Sequence, residues 1–129
     1  SKPFICEIEL KGQGGQVVRV RATVDDGAMV GVLCEEVYRR EQKRLGPWRE
    51  SKRRLRMANG TIIPSTGYWE EAMTFGGVEE QVAFEVFPSG GSWSFLLAKP
   101  LLERFRAVHD YETDIITLCK GEERVCVKN

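Results

Sequence analysis

The feature that most constrains this chain is its punctuation. Short β-patterned stretches are cut apart by glycine, proline and asparagine–glycine turns along nearly its whole length. Phe4, Cys6, Ile8 and Leu10 alternate with polar or less apolar neighbours, the period of a half-buried strand. Lys11-Gly12-Gln13-Gly14-Gly15 reads as a turn, and Val18, Val20, Ala22 and Val24 resume the alternation, which predicts a hairpin. Asn59-Gly60, set between β-prone stretches, is a strong hairpin signal, and Ser65-Thr66-Gly67 marks a further bend. Residues 68–75 and 78–87 read as strands around Gly76-Gly77, and residues 93–98 as a short, continuously apolar strand of the kind buried on both faces. Val108 begins another strand, 109–114 holds a turn, 115–118 returns, and 121–127 is the last. A helix is expected over 29–45, because Val30, Leu33, Cys34, Val37 and Tyr38 recur at three- and four-residue spacing before Gly46-Pro47 stops it. Pro100 opens a second helix, with Leu101, Leu102 and Phe105 on its inner face. Many short strands and two helices predict a mostly β fold with a closed or strongly curved sheet.

Length and charge narrow the function. The 129 residues fit one domain, 1–129, and 42% apolar content supports a core without metals or disulfides. Nineteen basic and nineteen acidic residues cancel, which argues against a globally basic nucleic-acid binder. Residues 39–56 do carry nine basic residues against two acidic ones. With no aromatic stacking series beside them, they read as a solvated helix end and loop, the competing reading being a patch for nucleic acid or an acidic peptide. No apolar run approaches the roughly 18 residues a membrane span needs. The four cysteines form no C-x-x-C pair and there is one histidine, His109, so no metal and no cofactor is expected. Cys6 and Cys34 read as small buried hydrophobes, and Cys119 and Cys126 as residues able to face each other across a hairpin. A reduced, cytoplasmic setting is the default expectation. The abrupt start at Ser1-Lys2-Pro3 reads as a domain excised from a longer polypeptide.

Aspartates number only four. Asp110 and Asp114 lie in a polar turn and are expected to be solvated, whereas Asp25 and Asp26 end an apolar strand and precede Gly27-Ala28. A carboxylate there sits on rigid scaffold at the edge of the core, where its chemistry can be tuned. The bland reading of Asp-Asp-Gly is a strand-to-helix turn.

The downstream pattern tips that balance. Val24-Asp25-Asp26-Gly27-Ala28 resembles the apolar-Asp-Thr/Ser-Gly-Ala motif of aspartic proteases. Phe95-Leu96-Leu97-Ala98, followed by Leu101-Leu102, resembles the same family's second signature. Between them stand a helix, an Asn-Gly hairpin and a Gly-Gly hairpin in the matching order. Residues 4–118 can be laid on the retropepsins of gypsy-type retrotransposons, fungal ones especially, and the stretches ANGTIIPSTG and VHDYETDIITL strengthen the match.

The resemblance implies a closed retropepsin-like barrel with one or two short helices, acting as an aspartic endopeptidase on a peptide or retroelement polyprotein. Asp25 would be catalytic, with Asp26, Gly27 and Ala28 supporting its loop. The chain carries one such motif, so a second Asp25 must come from a second copy across a twofold axis, which implies a homodimer. The hairpin bearing Met57, Ala58, Asn59, Gly60, Thr61, Ile62 and Ile63 would be the flap over the substrate. Val30, Ile62, Ile63 and Leu97 would line subsites. Two departures stand out. Asp26 replaces a Thr or Ser whose hydroxyl braces the two loops across the axis, and Ala98-Lys99 replaces a glycine-containing pair. A carboxylate at 26 accepts but does not donate unless protonated, and two copies repel. Activity at acid pH is therefore expected. An alternative register makes Asp26 the catalytic acid. The competing functions are a silent retropepsin-like module kept for dimerisation or peptide binding, and a nucleic-acid-binding barrel. His109 is expected at a strand end on the surface, and Trp48, Trp69 and Trp93 as core or edge anchors.

Overall fold

Antiparallel pairing of β1 (Ile5–Lys11) with β2 (Val17–Asp25) sets Ile8 opposite Val20 and Leu10 opposite Val18. Side chains alternate along each strand, so this register sends Ile8, Leu10, Val18, Val20 and Ala22 together into the core. The computed structural model describes residues 2–56 and 59–129. After β2 the chain forms β3 (Val32–Cys34), α1 (Glu35–Leu45), β4 (Arg54–Arg56), β5 (Ile62–Pro64), β6 (Gly67–Phe75) and β7 (Val78–Phe87). Then come β8 (Phe95–Ala98), α2 (Lys99–Arg104), β9 (Val108–Asp110), β10 (Ile115–Lys120) and β11 (Glu123–Lys128).

Six strands close a barrel in the order β1-β2-β8-β3-β7-β6, because β1 pairs with β6 as well as with β2. The fold is mostly β, with a closed barrel and two short α-helices. Strands β9, β10 and β11 form a separate three-stranded sheet that buries Ile116 and Leu118 completely. Strands β4 and β5 stand apart as a two-stranded hairpin.

The first helix is shorter than expected. Residues 32–34 form β3, parallel to β7 and antiparallel to β8, and α1 begins only at Glu35. Val32, Leu33 and Cys34 are all buried, so this strand shows no alternation. Its apolar residues, followed by Val37 and Tyr38, mimic helical spacing. Glu35 and Glu36 then occupy the first turn of α1, where the helix dipole favours negative charge.

The far end of α1 is capped by one side chain of its own and one from β6. Gly46 takes a φ of 85°, which glycine adopts without strain. The Tyr38 hydroxyl donates to the Gly46 carbonyl at 2.6 Å, and Trp69 Nε1–H donates to that of Leu45 at 3.1 Å. Two carbonyls that the helix leaves unpaired are thereby satisfied. The basic residues of α1 face outward, with Arg39 paired to Glu35 and Arg44 to Glu41. Cys119 is opposite Arg124 and Cys126 opposite Thr117, so the two cysteines are offset, not face to face, and all four thiols are free. Burial pushes the Cys6 thiol up to about 11.

The loop between β1 and β2 lies hard against the end of α1. A Cβ added at Gly12 would fall 1.9 Å from the Arg44 carbonyl oxygen, backbone that cannot swing aside. Gly12→Ala is expected to destabilise the fold by about 1–3 kcal/mol. Urea unfolding should show a lower midpoint with an unchanged slope; an unchanged midpoint would mean that this contact tolerates a methyl group.

Candidate active site

The backbone at Asp25 is fixed by the barrel. Strands β2 and β8 run parallel, with Val24 beside Leu97 and Asp25 beside Ala98 at the last rung. Ala98 is fully buried, so the end of β2 is held against the core and cannot fray freely. The chain turns immediately. Ala28 N–H donates to the Asp25 carbonyl at 3.2 Å, and Lys99 N–H, opening α2, donates to the Ala28 carbonyl at 3.0 Å. The Asp25 carboxylate is half-buried and accepts from Gly27 N–H at 3.1 Å. The loop 25–28 is thus stitched to the start of α2 and curls around its own first carboxylate.

Asp26 faces a different neighbour. It is exposed, and its carboxylate accepts a hydrogen bond from the hydroxyl of Tyr111, in the turn between β9 and β10. That hydrogen bond, more than burial, pushes the Tyr111 phenol above its ordinary range. Sequence reasoning missed Tyr111, because 85 residues separate it from Asp26.

Around Tyr111 the polar turn is more ordered than expected. Its ring lies 4.2 Å from that of His109, which also meets Phe4 edge-on at 5.1 Å. His109 Nε2 lies 2.8 Å from Asp114 Oδ1. Asn129 Nδ2 donates to Asp114 Oδ2 at 2.8 Å and to the Pro3 carbonyl at 2.9 Å, while its Oδ1 accepts from Ile5 N–H. His109 is therefore a largely covered packing residue, and Asp114 is engaged, not merely solvated. A cavity of about 360 Å³ opens beside Asp26, walled by Val24, Lys99, Leu102, His109 and Tyr111. Asp25 is not among the residues that line it.

The hairpin expected as a flap is present as β4 and β5, with Leu55 opposite Ile63 and Arg56 opposite Ile62. Met57 and Ala58 lie outside the described residues. At the tip, Thr61 N–H donates to Asn59 Oδ1 at 2.9 Å, and Gly60 takes a φ of 87°. Ile62 is exposed and Ile63 half-buried. The hairpin is rooted by Glu85 of β7, the one buried charged residue among those described. Its carboxylate accepts from the Ser51 hydroxyl and lies 3.7 Å from Arg53. Sequence reasoning missed Glu85 too, since one glutamate in an alternating strand reads as solvent-facing.

Of the proposed wall residues, Val30 is half-buried just ahead of β3. Leu97 needs correcting: it is completely buried, packed in the barrel core, and presents no surface to a peptide. Its strand reads as apolar on both faces, so the sequence could not say which side opens outward.

No protein-family model and no curated protein sequence matches the chain. Solved structures do. The retroviral protease-like domain of Ddi1 from Leishmania major superposes with a TM-score of 0.68 at 16% identity, over 97% of this chain and 92% of that one. A retropepsin-like aspartic protease from Rickettsia conorii superposes with a TM-score of 0.60 at 20% identity, over 98% and 97% respectively. At such identities the likeness is one of fold: the closed six-stranded barrel and two short helices match retropepsin-like folds.

The Asn129 and His109 contacts hold the Asp114 carboxyl below its ordinary value of 3.8, the Asn129 hydrogen bond contributing most. A carboxylate with a depressed folded pKa stabilises the fold above the ordinary range and loses that contribution as pH falls through the lowered value. Asp114→Asn should therefore melt below the parent at neutral pH. The gap should close as the pH is taken from about 4 towards 2, and a gap independent of pH would exclude this linkage.

Proposed function

We propose that the chain is one lobe, residues 1–129, of a homodimeric aspartic endopeptidase of the retropepsin type, with one Asp25 contributed by each subunit. The observation that carries this reading is the placement of Asp25. A half-buried carboxylate sits at the end of a barrel strand, on a loop tied to the helix that follows the second signature. The fold similarity supports the same class of chemistry.

In this mechanism two Asp25 side chains share one proton. The ionised carboxylate takes a proton from a water molecule, which attacks the scissile carbonyl carbon. The protonated one donates to the carbonyl oxygen, so the negative charge developing there is neutralised as the bond forms. Two adjacent carboxylates cannot both ionise cheaply, and aspartic proteases are the well-known instance of this arrangement. The pair titrates as a unit.

An extended peptide would lie beneath the β4–β5 hairpin and pair with it backbone to backbone. Val30, Ile62 and Ile63 are proposed to contact its side chains. A polyprotein of a gypsy-type retroelement, or of a gene derived from one, is the proposed substrate, on the strength of the motifs around Asn59-Gly60 and His109–Tyr111. Acid conditions are proposed to favour activity, since Asp26 adds a carboxylate near the axis. A cytoplasmic setting suits four free thiols.

Incubation of the chain and its Asp25→Asn variant with an unbiased peptide mixture between pH 4 and 7 tests the reading. The parent should cleave, with specific activity rising with protein concentration as dimers form. The variant should lose about 10²–10⁴-fold in rate. Equal, inert behaviour of the two proteins would leave a binding module in place of an enzyme.

A further inference from the structure

We infer that Tyr111 is the positioning residue of the Asp25 loop: its hydroxyl holds Asp26, and through Asp26 the turn that presents Asp25. This deepens the peptidase reading and rests on it for its kinetic arm.

The argument begins with what holds the loop. Within residues 25–28 the hydrogen bonds are short-range: Gly27 N–H to the Asp25 carboxylate and Ala28 N–H to the Asp25 carbonyl. The Lys99–Ala28 backbone bond anchors the loop's trailing end to α2. Among the described residues, the hydrogen bond from Tyr111 is the side-chain contact that reaches the loop from another sheet. A hydrogen bond to an ionised acceptor is worth more than a neutral one, and this one acts on the residue next to Asp25.

Tyr111 is 69% exposed, and apart from Asp26 what positions it is the contact of its ring with His109. His109 is clamped between Phe4 and Asp114. Asp114 is held in turn by Asn129, which also binds the Pro3 carbonyl and the Ile5 amide. The series Asn129, Asp114, His109, Tyr111, Asp26 therefore links the first strand and the β9–β10 turn to the candidate catalytic loop. An ionised carboxylate at position 26 has no proton of its own to give and can only accept from a donor. Tyr111 supplies that donor from within the same chain.

The test is a double-mutant cycle on the full chain, with two readouts besides turnover. Tyr111→Phe keeps the ring and removes only the hydroxyl. It should lower kcat about tenfold or more, with KM changed less than about twofold. In the D26T background, where no carboxylate awaits a donor, the same change should cost less than about twofold. A merely structural tyrosine would cost the same in both backgrounds, and that result overturns the inference.

Independently of activity, the ring resonances of Tyr111 should titrate above the ordinary phenol range in the parent and return to it in Asp26→Asn. The Gly27 and Ala28 amides should exchange with solvent about tenfold faster in Tyr111→Phe. Unaltered titration together with unaltered exchange would also overturn it. Should the parent cleave no peptide, the peptidase reading fails by itself, and these two measurements still decide whether Tyr111 holds the loop.

Discussion

The parallel pairing of β2 with β8 is the constraint on which the rest depends. Both strands belong to a closed barrel, so moving the end of β2 would require breaking the ring of hydrogen bonds that includes it. Leu97 and Ala98 are completely buried along this seam, which places it in the core. The loop 25–28 and the first residue of α2 are consequences of that seam, because each is bonded to the other where the two strands end. The hairpin of β4 and β5 has the opposite character. Each strand has three residues, and an isolated two-stranded hairpin is marginal in water. What ties it down is a small group at its base: Ser51, Arg53 and Ser65 bonded to Glu85 or to one another's backbone. The loop 25–28 is thus fixed by the barrel, whereas the β4–β5 hairpin is held at its base alone.

How much of this was legible follows from where the determining contacts lie. Hairpins were readable, because β1–β2 and β6–β7 are built from adjacent segments whose alternation and turn residues sit side by side in the sequence. The Asp25 loop was readable as a motif, because its residues are consecutive. Strand β3 was not: all three of its residues are buried, so it offered no period of two, and its neighbours β7 and β8 are remote in sequence. Leu97 failed as a wall residue for the same reason, since a doubly buried strand does not declare which side faces a groove. His109 and Asp114 lie only five residues apart, yet their pairing depends on the β9–β10 turn and on Asn129 reaching back from the other end of the chain. Tyr111 and Glu85 carry no signature in the sequence, because each acquires its meaning from a partner that only the folded chain brings near.

The two neighbouring aspartates show how strand geometry assigns roles that composition cannot. Successive side chains along an extended backbone point to opposite sides. Asp25, the last residue of β2, keeps its carboxylate half-buried against the amide of Gly27, while Asp26 turns out to meet Tyr111. Each carboxylate has one oxygen engaged, Asp25 Oδ1 by the Gly27 amide and Asp26 Oδ2 by the Tyr111 hydroxyl, so what separates them is where the donor comes from: Asp25 is held from within its own loop and Asp26 from the far sheet. The contact with Tyr111 is thus the feature that distinguishes Asp26. It also gives the unusual residue at 26 a physical rationale. A hydroxyl at that position can donate outward; a carboxylate cannot. In a loop carrying aspartate there, the Tyr111 turn brings a donor from the far sheet.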